Sequence, residues 1–333
     1  MITPSFSITA TERVLPAMAL NFTTAVLDSR VTFTRTGNTA TVTNSSGVIA
    51  AINADLPRFD YDPTTLVCKG LLIEETRTNL LLNSLLNATI LSTQLVTTTA
   101  VPHTLSFYGT GQIVLTGTSS ATVVGTGAYP SRKTLTFTPT AGVLTLTVTG
   151  TVQYAQLEVG AFATSFIPTG ATSVTRNPDV ALMTGTNFSS WYNQPEGTFV
   201  VEGSHADDAV SFPRFYCASD GVGADLIEVL TLQPSDNLYF QVKSATVVQA
   251  AAAIFNPYVG QNIKIAIAYK VNSLAAAATN GTISTASITT VPTLTTMRFG
   301  AAVDGTSPLN GYLKTFNYYK QRLINAEVLA FAK

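Results

Sequence analysis

Two alternating runs, Lys133-Thr-Leu-Thr-Phe-Thr138 and Val143-Leu-Thr-Leu-Thr-Val-Thr149, flank the turn Pro139-Thr-Ala-Gly142 and decide the fold class. In the second run Leu144, Leu146 and Val148 fall on one face and threonines on the other. A period of two gives one dry and one wet face, which is the signature of a half-buried strand and not of a helix. Val152-Gln-Tyr-Ala-Gln-Leu-Glu158 continues in the same manner. Short strands with turn signals at this spacing predict a jelly-roll sandwich over residues 84–177.

Downstream, residues 178–333 read as a second sandwich. Gly197-Thr-Phe-Val-Val-Glu202 reads as its first strand. Ile263, Ile265, Ile267 and Tyr269 alternate with Lys264, Ala266, Ala268 and Lys270. Gly311-Tyr-Leu-Lys-Thr-Phe-Asn-Tyr-Tyr319 predicts a late strand, and a short helix closes the chain. Asn325 is its expected cap, with Ile324 stapled onto Leu329. Upstream, residues 1–83 read as a separate β-rich segment. Its clearest signal is a hairpin, with Val31–Thr36 and Thr39–Thr43 joined by Gly37-Asn38. The predicted class is therefore all-β, with tandem jelly-roll and concanavalin-like sandwiches behind a β-rich N-terminal segment.

Composition narrows the function. A length of 333 residues suits two or three units. Charged residues make up 11% of the chain and its net charge is −1, so no electrostatic footprint for nucleic acid or an acidic membrane exists. The mean hydropathy of +0.28 comes from dispersed Thr, Val and Ala. No apolar run of about 18 residues occurs, so membrane insertion is not expected. Sparse charge instead predicts a surface covered by partner subunits, the alternative being a neutral Thr/Ser-rich exterior. Met1 to Ala10 lack a basic segment followed by an apolar one, so no secretory signal is expected. Cys68 and Cys217 have no metal or redox spacing and read as two isolated buried thiols.

Three stretches resemble bacteriophage virion structural proteins of the tail-fibre, head-spike and decoration type. The first runs from Arg58 to Leu82, with Phe59-Asp-Tyr-Asp-Pro63, Gly70-Leu-Leu-Ile-Glu-Glu75 and Arg77-Thr-Asn-Leu80. The second, Gln153–Gly160 followed by Ala163–Thr169 and Thr175-Arg176, is similar to the closing strand of carbohydrate-binding-module-like jelly rolls. The third resembles a laminin-G-like, concanavalin-type sandwich. It comprises Ile265–Lys270, Asn280-Gly281, Asn310-Gly-Tyr312 through Tyr319, and Arg322–Glu327. The resemblance implies a location in the virion, assembled in the host cytoplasm, with residues 1–83 attaching to the particle. Its implied partners are other virion proteins (capsid, portal, collar or tail) and a host surface glycan. Low charge adds self-association, as a homotrimer. In related C-terminal units the strand after Tyr269-Lys270 often carries an aspartate or aromatic residue. Here it reads Asn272-Ser-Leu-Ala-Ala-Ala-Ala278, a departure at the place where such a group holds a sugar.

Residues able to carry chemistry are few. The two histidines, His103 and His205, fall in different predicted units, so a His-based triad or multi-histidine metal site is not easily built and both read as structural or surface residues. Glycosidases need two carboxylates across a cleft. Asp60-Tyr-Asp62 reads as a turn, Glu74 and Glu75 point to opposite faces, and Asp225 and Glu228 do not alternate. No catalytic residue is therefore assigned, and no cofactor is expected. Calcium would suit acid-and-glycine loops. These are Asp207-Asp208 and Asp220-Gly-Val-Gly-Ala-Asp225, with Asp220 and Asp225 as ligands. For stacking on a sugar ring, Trp191-Tyr192-Asn193 is the best local match, ahead of Tyr216, Tyr239 and Tyr258, with core or interface packing the leading reading of each. The leading reading is a non-enzymatic virion structural protein: a spike, fibre, collar or capsid decoration component. A host-glycan adhesin is the alternative, and a polysaccharide depolymerase the third.

Overall fold

The computed structural model describes residues 14–37, 40–85, 89, 92–205, 212–233, 235–255 and 261–333. The chain is all-β with a short C-terminal helix, as the alternating runs predict. Two sandwiches account for most of it.

In the first, a four-stranded sheet orders Ala121–Val124, Gln112–Gly117, Gly142–Thr149 and Gln94–Thr98. It faces a three-stranded sheet of Lys133–Phe137, His103–Tyr108 and Gln153–Val159. The two runs around Pro139–Gly142 thus lie in opposite sheets, and the turn carries the chain across the sandwich. Their dry faces meet in one core holding Leu105, Phe107, Ile113, Leu115, Leu144, Leu146 and Leu157.

The larger sandwich pairs an eight-stranded with a seven-stranded sheet. Its first sheet orders Ser284–Ala286, Ser273–Ala278, Ile263–Lys270, Glu196–His205, Gly311–Tyr319, Cys68–Ile73 and Phe59–Tyr61. Met18–Asn21 also joins Gly311–Tyr319, so two upstream strands share one edge of that strand end to end. Its second sheet runs from Thr32–Thr34 and Val180–Thr184 to the long edge strand Val247–Phe255. Phe199, Tyr216, Phe240, Ile265, Tyr269, Phe316 and Tyr318 pack between them.

The predicted Gly37-Asn38 hairpin does not form. Thr32–Thr34 pairs with Val180–Thr184, and Ala40–Thr43 pairs with Ile49–Ile52. Asn38 and Thr39 lie outside the described residues. Long-range burial of Phe33 in the larger core outweighs the local turn signal. Nor does the first segment keep to itself, since its strands complete both sheets of the larger sandwich.

The alanine run 275–278 has a packing cause. Ala276 and Ala278 face the sandwich core, while Ala275 and Ala277 face the helix Asn325–Phe331. Small side chains let that helix seat Val328 against the sheet. Ile324, not Asn325, is the helix N-cap. The Glu327 carboxylate accepts the Ile324 N–H at 3.0 Å, while the Asn325 amide oxygen accepts from Arg322. Both cysteines are free thiols, Cys217 buried and Cys68 half-buried.

Candidate functional site

A buried ion cluster draws on all three predicted segments. Arg58 donates from Nε to Asp179 Oδ1 at 3.1 Å and from Nη2 to Asp179 Oδ2. Its Nη1 reaches Glu74 Oε2 and Ser165 Oγ, each at 2.7 Å. Arg176 meets the same Glu74 oxygen at 3.1 Å and donates to the Glu75 carbonyl at 2.8 Å. Arg35 completes the cluster with Nη1 3.7 Å from Asp179. The guanidiniums of Arg35, Arg58 and Arg176 have no solvent exposure. Burial alone would raise the Glu74 pKa. Arg176, Arg58 and the hydrogen bonds from Ser165 outweigh it and hold the carboxyl well below its usual range. Such pairs pay heavily in desolvation, so the cluster fixes geometry more than it adds net stability.

Asn79 performs a parallel task without charge. Its amide donates to the Ala155 and Ile167 carbonyls and accepts from the Leu81 and Leu157 N–H groups. All four hydrogen-bonding positions of the side chain are filled. Arg58, Glu74, Asn79 and Arg176 all belong to the stretches that resemble virion proteins. Arg58, Glu74 and Arg176 join the small sandwich to the large one, while Asn79 fastens the incoming chain to the small sandwich.

Over this junction opens a cleft of about 320 Å³. This lies at the low end of the ~300–1,000 Å³ typical of small-molecule sites. Its lining includes Thr43, Asp60, Lys69, Tyr108, Tyr129 and Arg132. Phe162, His205 and Tyr312 border it as well. Tyr108 and Tyr129 sit with ring centroids 5.2 Å apart, backed by Tyr154 and Phe166. The Tyr129 hydroxyl is 2.9 Å from the Thr43 hydroxyl. Asp60 accepts from the Thr43 N–H at 2.6 Å and from the Tyr312 hydroxyl at 2.8 Å, and it pairs with Lys69 at 2.6 Å. The Lys69 ammonium also stands 4.7 Å over the Tyr312 ring. Burial, and then the Asp60 charge, push the Tyr312 phenol well up. The half-buried Tyr129 ring, with buried Tyr108 packed behind it, stands beside fixed hydrogen-bonding groups and makes a surface suited to a sugar ring.

The residues picked from sequence lie elsewhere. Trp191 is only 2% exposed, packed edge-on against Phe188, Phe316 and Tyr318, so it has no face to offer a sugar. This burial agrees with core packing of the motif and removes its sugar-stacking reading. The hydrophobic area of an indole is best used in the core. Its N–H is satisfied by the Asn187 carbonyl at 2.8 Å. Tyr192 packs against Phe188 and Tyr318, and Asn193 donates to the Glu196 and Lys320 carbonyls, tying a strand entry to a strand exit. Tyr216 is buried and Tyr239 half-buried, while Tyr258 lies outside the described residues.

Asp220 folds its own loop: the carboxylate accepts the N–H groups of Val222 at 3.0 Å and Gly223 at 2.6 Å. Asp225 accepts the Ala245 N–H at 2.9 Å. These bonds shape the loop, and among the described residues no cluster of three or more acidic, His or Cys side chains gathers. Asp207 and Asp208 lie outside the described residues. His103 is buried beside Phe137, and its Nδ1 lies 2.8 Å from the Val101 carbonyl. His205 reaches the cleft with Nε2 3.1 Å from the Thr231 hydroxyl. Of Asp60-Tyr-Asp62, only Asp62 shapes a turn, accepting the Thr64 and Thr65 N–H groups. Asp60 sits on a sheet strand and faces the cleft, which corrects its reading as a turn residue. Glu74 and Glu75 do diverge, the second pairing with Arg77.

Sequence reasoning missed Tyr108, Tyr129 and Arg132. Nothing local marks them, because the cleft is assembled from many separated stretches of chain. No family model and no curated protein matches the sequence. Among solved structures, the carbohydrate-binding module CBM40 of the Ruminococcus gnavus IT-sialidase matches at 13% identity and TM-score 0.36, over 42% of this chain and 83% of that one. The CBM2 module of the evolved Dit of Lactobacillus casei BL23 phage J-1 matches at 14% identity and TM-score 0.30, over 44% of this chain and 71% of that one. A heptameric SAP-like pentraxin of Limulus polyphemus matches at 9% identity and TM-score 0.31, over 78% of this chain and 82% of that one. Scores this low do not establish a shared fold with any of the three.

Proposed function

We propose that the chain is a non-enzymatic structural protein of a bacteriophage particle that binds glycan in the cleft between its two sandwiches. The observation that carries the glycan reading is the cleft, where Tyr108 and Tyr129 stand beside Asp60, Lys69 and Arg132. The virion setting is supported by the phage-type stretches, whose Arg58, Glu74 and Arg176 build the junction beneath that cleft. A non-catalytic role is supported by the state of the cleft's Glu74 carboxylate. A glycosidase acid must hold a proton near neutral pH. Glu74 is instead held ionised by Arg176 and Arg58.

Self-association as a homotrimer belongs to the same proposal. It is supported by the low charge and by Leu95, Val124 and Val143, all exposed on the outer face of the four-stranded sheet. The test joins two measurements on the full chain. Light scattering should give about three times the 35.1 kDa chain mass. A glycan array probed with that species should show carbohydrate-specific binding without release of reducing ends. An empty array would remove the glycan reading, a monomer the trimer, and released reducing ends the non-enzymatic claim.

A further inference from the structure

We infer that the cleft selects an acidic, carboxylate-bearing saccharide, and that Arg132 is the residue that reads its charge; this rests on the cleft being the glycan site. Four charged side chains line it: Asp60, Lys69, Glu74 and Arg132. Three already have ion partners. Asp60 and Lys69 oppose each other at 2.6 Å, and Glu74 is opposed by Arg58 and Arg176 from behind. Arg132 is different. Its Nη1 donates to the Thr164 carbonyl at 2.8 Å and its Nη2 to the Ser106 hydroxyl at 2.7 Å, both neutral acceptors. No carboxylate among the described residues stands within ion-pair distance of it.

Among the described residues Arg132 is therefore the one charged side chain of the lining with no opposite charge at ion-pair distance. A guanidinium has five N–H donors, and two go to these neutral acceptors. Those bonds hold the planar group in place, which is the preorganisation that a carboxylate ligand needs. Arg132 also lies near the aromatic wall. Burial pushes the Tyr108 phenol up, and the Arg132 charge works against that shift. A sugar ring packed on Tyr129 would share the cleft with Arg132, where a carboxylate substituent could meet its guanidinium. A neutral sugar would leave that charge without a counter-ion in a partly desolvated site.

The test is a glycan array of matched pairs, each uronate-bearing glycan printed beside its neutral counterpart, probed with wild type, Arg132→Gln and Arg132→Lys. Wild type should favour the acidic member by about tenfold or more, the range of a charge-assisted hydrogen bond. Arg132→Gln should lose the preference while still binding the neutral member, and Arg132→Lys should keep part of it. Melting curves matching wild type would confirm that the variants fold. If the acidic and neutral members bind equally, or if Arg132→Gln keeps the preference, the charge assignment is overturned while the glycan reading stands. If no member of any pair binds, both fall together.

Discussion

Arg58 and Asp179, 121 residues apart in the chain, form a two-pronged ion pair in which neither side chain touches solvent. The pair fastens the approach to one sheet of the large sandwich to the approach to the other. Through Glu74, Ser165 and Arg176 the same cluster holds the small sandwich. The cleft exists because these parts are fixed relative to one another.

Breaking that pair from one side should be costly. Arg58→Met leaves Asp179 and Glu74 short of a counter-charge inside the protein, and Asp179→Asn leaves Arg58 short of one. Each should lose about 3–5 kcal/mol of stability. Chemical denaturation of both variants against wild type measures it. A loss below about 1 kcal/mol would show that the cluster is not the clamp described.

Acid should loosen the same junction. The folded pKa of Glu74 is depressed below its ordinary value of 4.5, so its ion pairs stabilise the fold fully above that value. The contribution is lost as pH falls below 4.5 towards the depressed folded value. Wild-type melting temperature should therefore decline through that acid range. Glu74→Gln should start lower at neutral pH and decline less steeply. Parallel curves for the two proteins would contradict the assignment.

Trp191 should behave as a core residue. Trp191→Ala opens a cavity among Phe188, Phe316 and Tyr318 and should cost about 3–5 kcal/mol. Trp191→Phe should cost less and leave glycan affinity unchanged. A folded Trp191→Phe protein with selectively lost binding would return the site to this residue.

The alternating runs carried the class of the fold legibly, because period two is a local property that survives any tertiary arrangement. Val143–Thr149 buries Leu144 and Leu146 as its pattern requires. Partners were less legible. Thr32–Thr34 and Ala40–Thr43 are each good strands, yet each pairs away from the other, because burying Phe33 in the large core decides the matter. The site was least legible. Stacking chemistry pointed to Trp191, but exposure is a tertiary property, and the same aromatic character that suits a sugar suits a core. Tyr129 and Arg132 have unremarkable neighbours in sequence, and Asp60 reads locally as a turn residue; all three acquire a role only where the two sandwiches meet.

The most direct test of the glycan reading is a titration of the full chain with the strongest ligand from the array, comparing wild type with Tyr129→Ala. Tyr129 is half-buried on the cleft wall, and its ring is the face proposed for stacking. Removing it should weaken binding by about 0.5–1.5 kcal/mol beyond the lost contact area. The melting temperature should stay close to wild type. Undiminished affinity in a folded Tyr129→Ala protein would place the glycan elsewhere on the molecule and contradict the account.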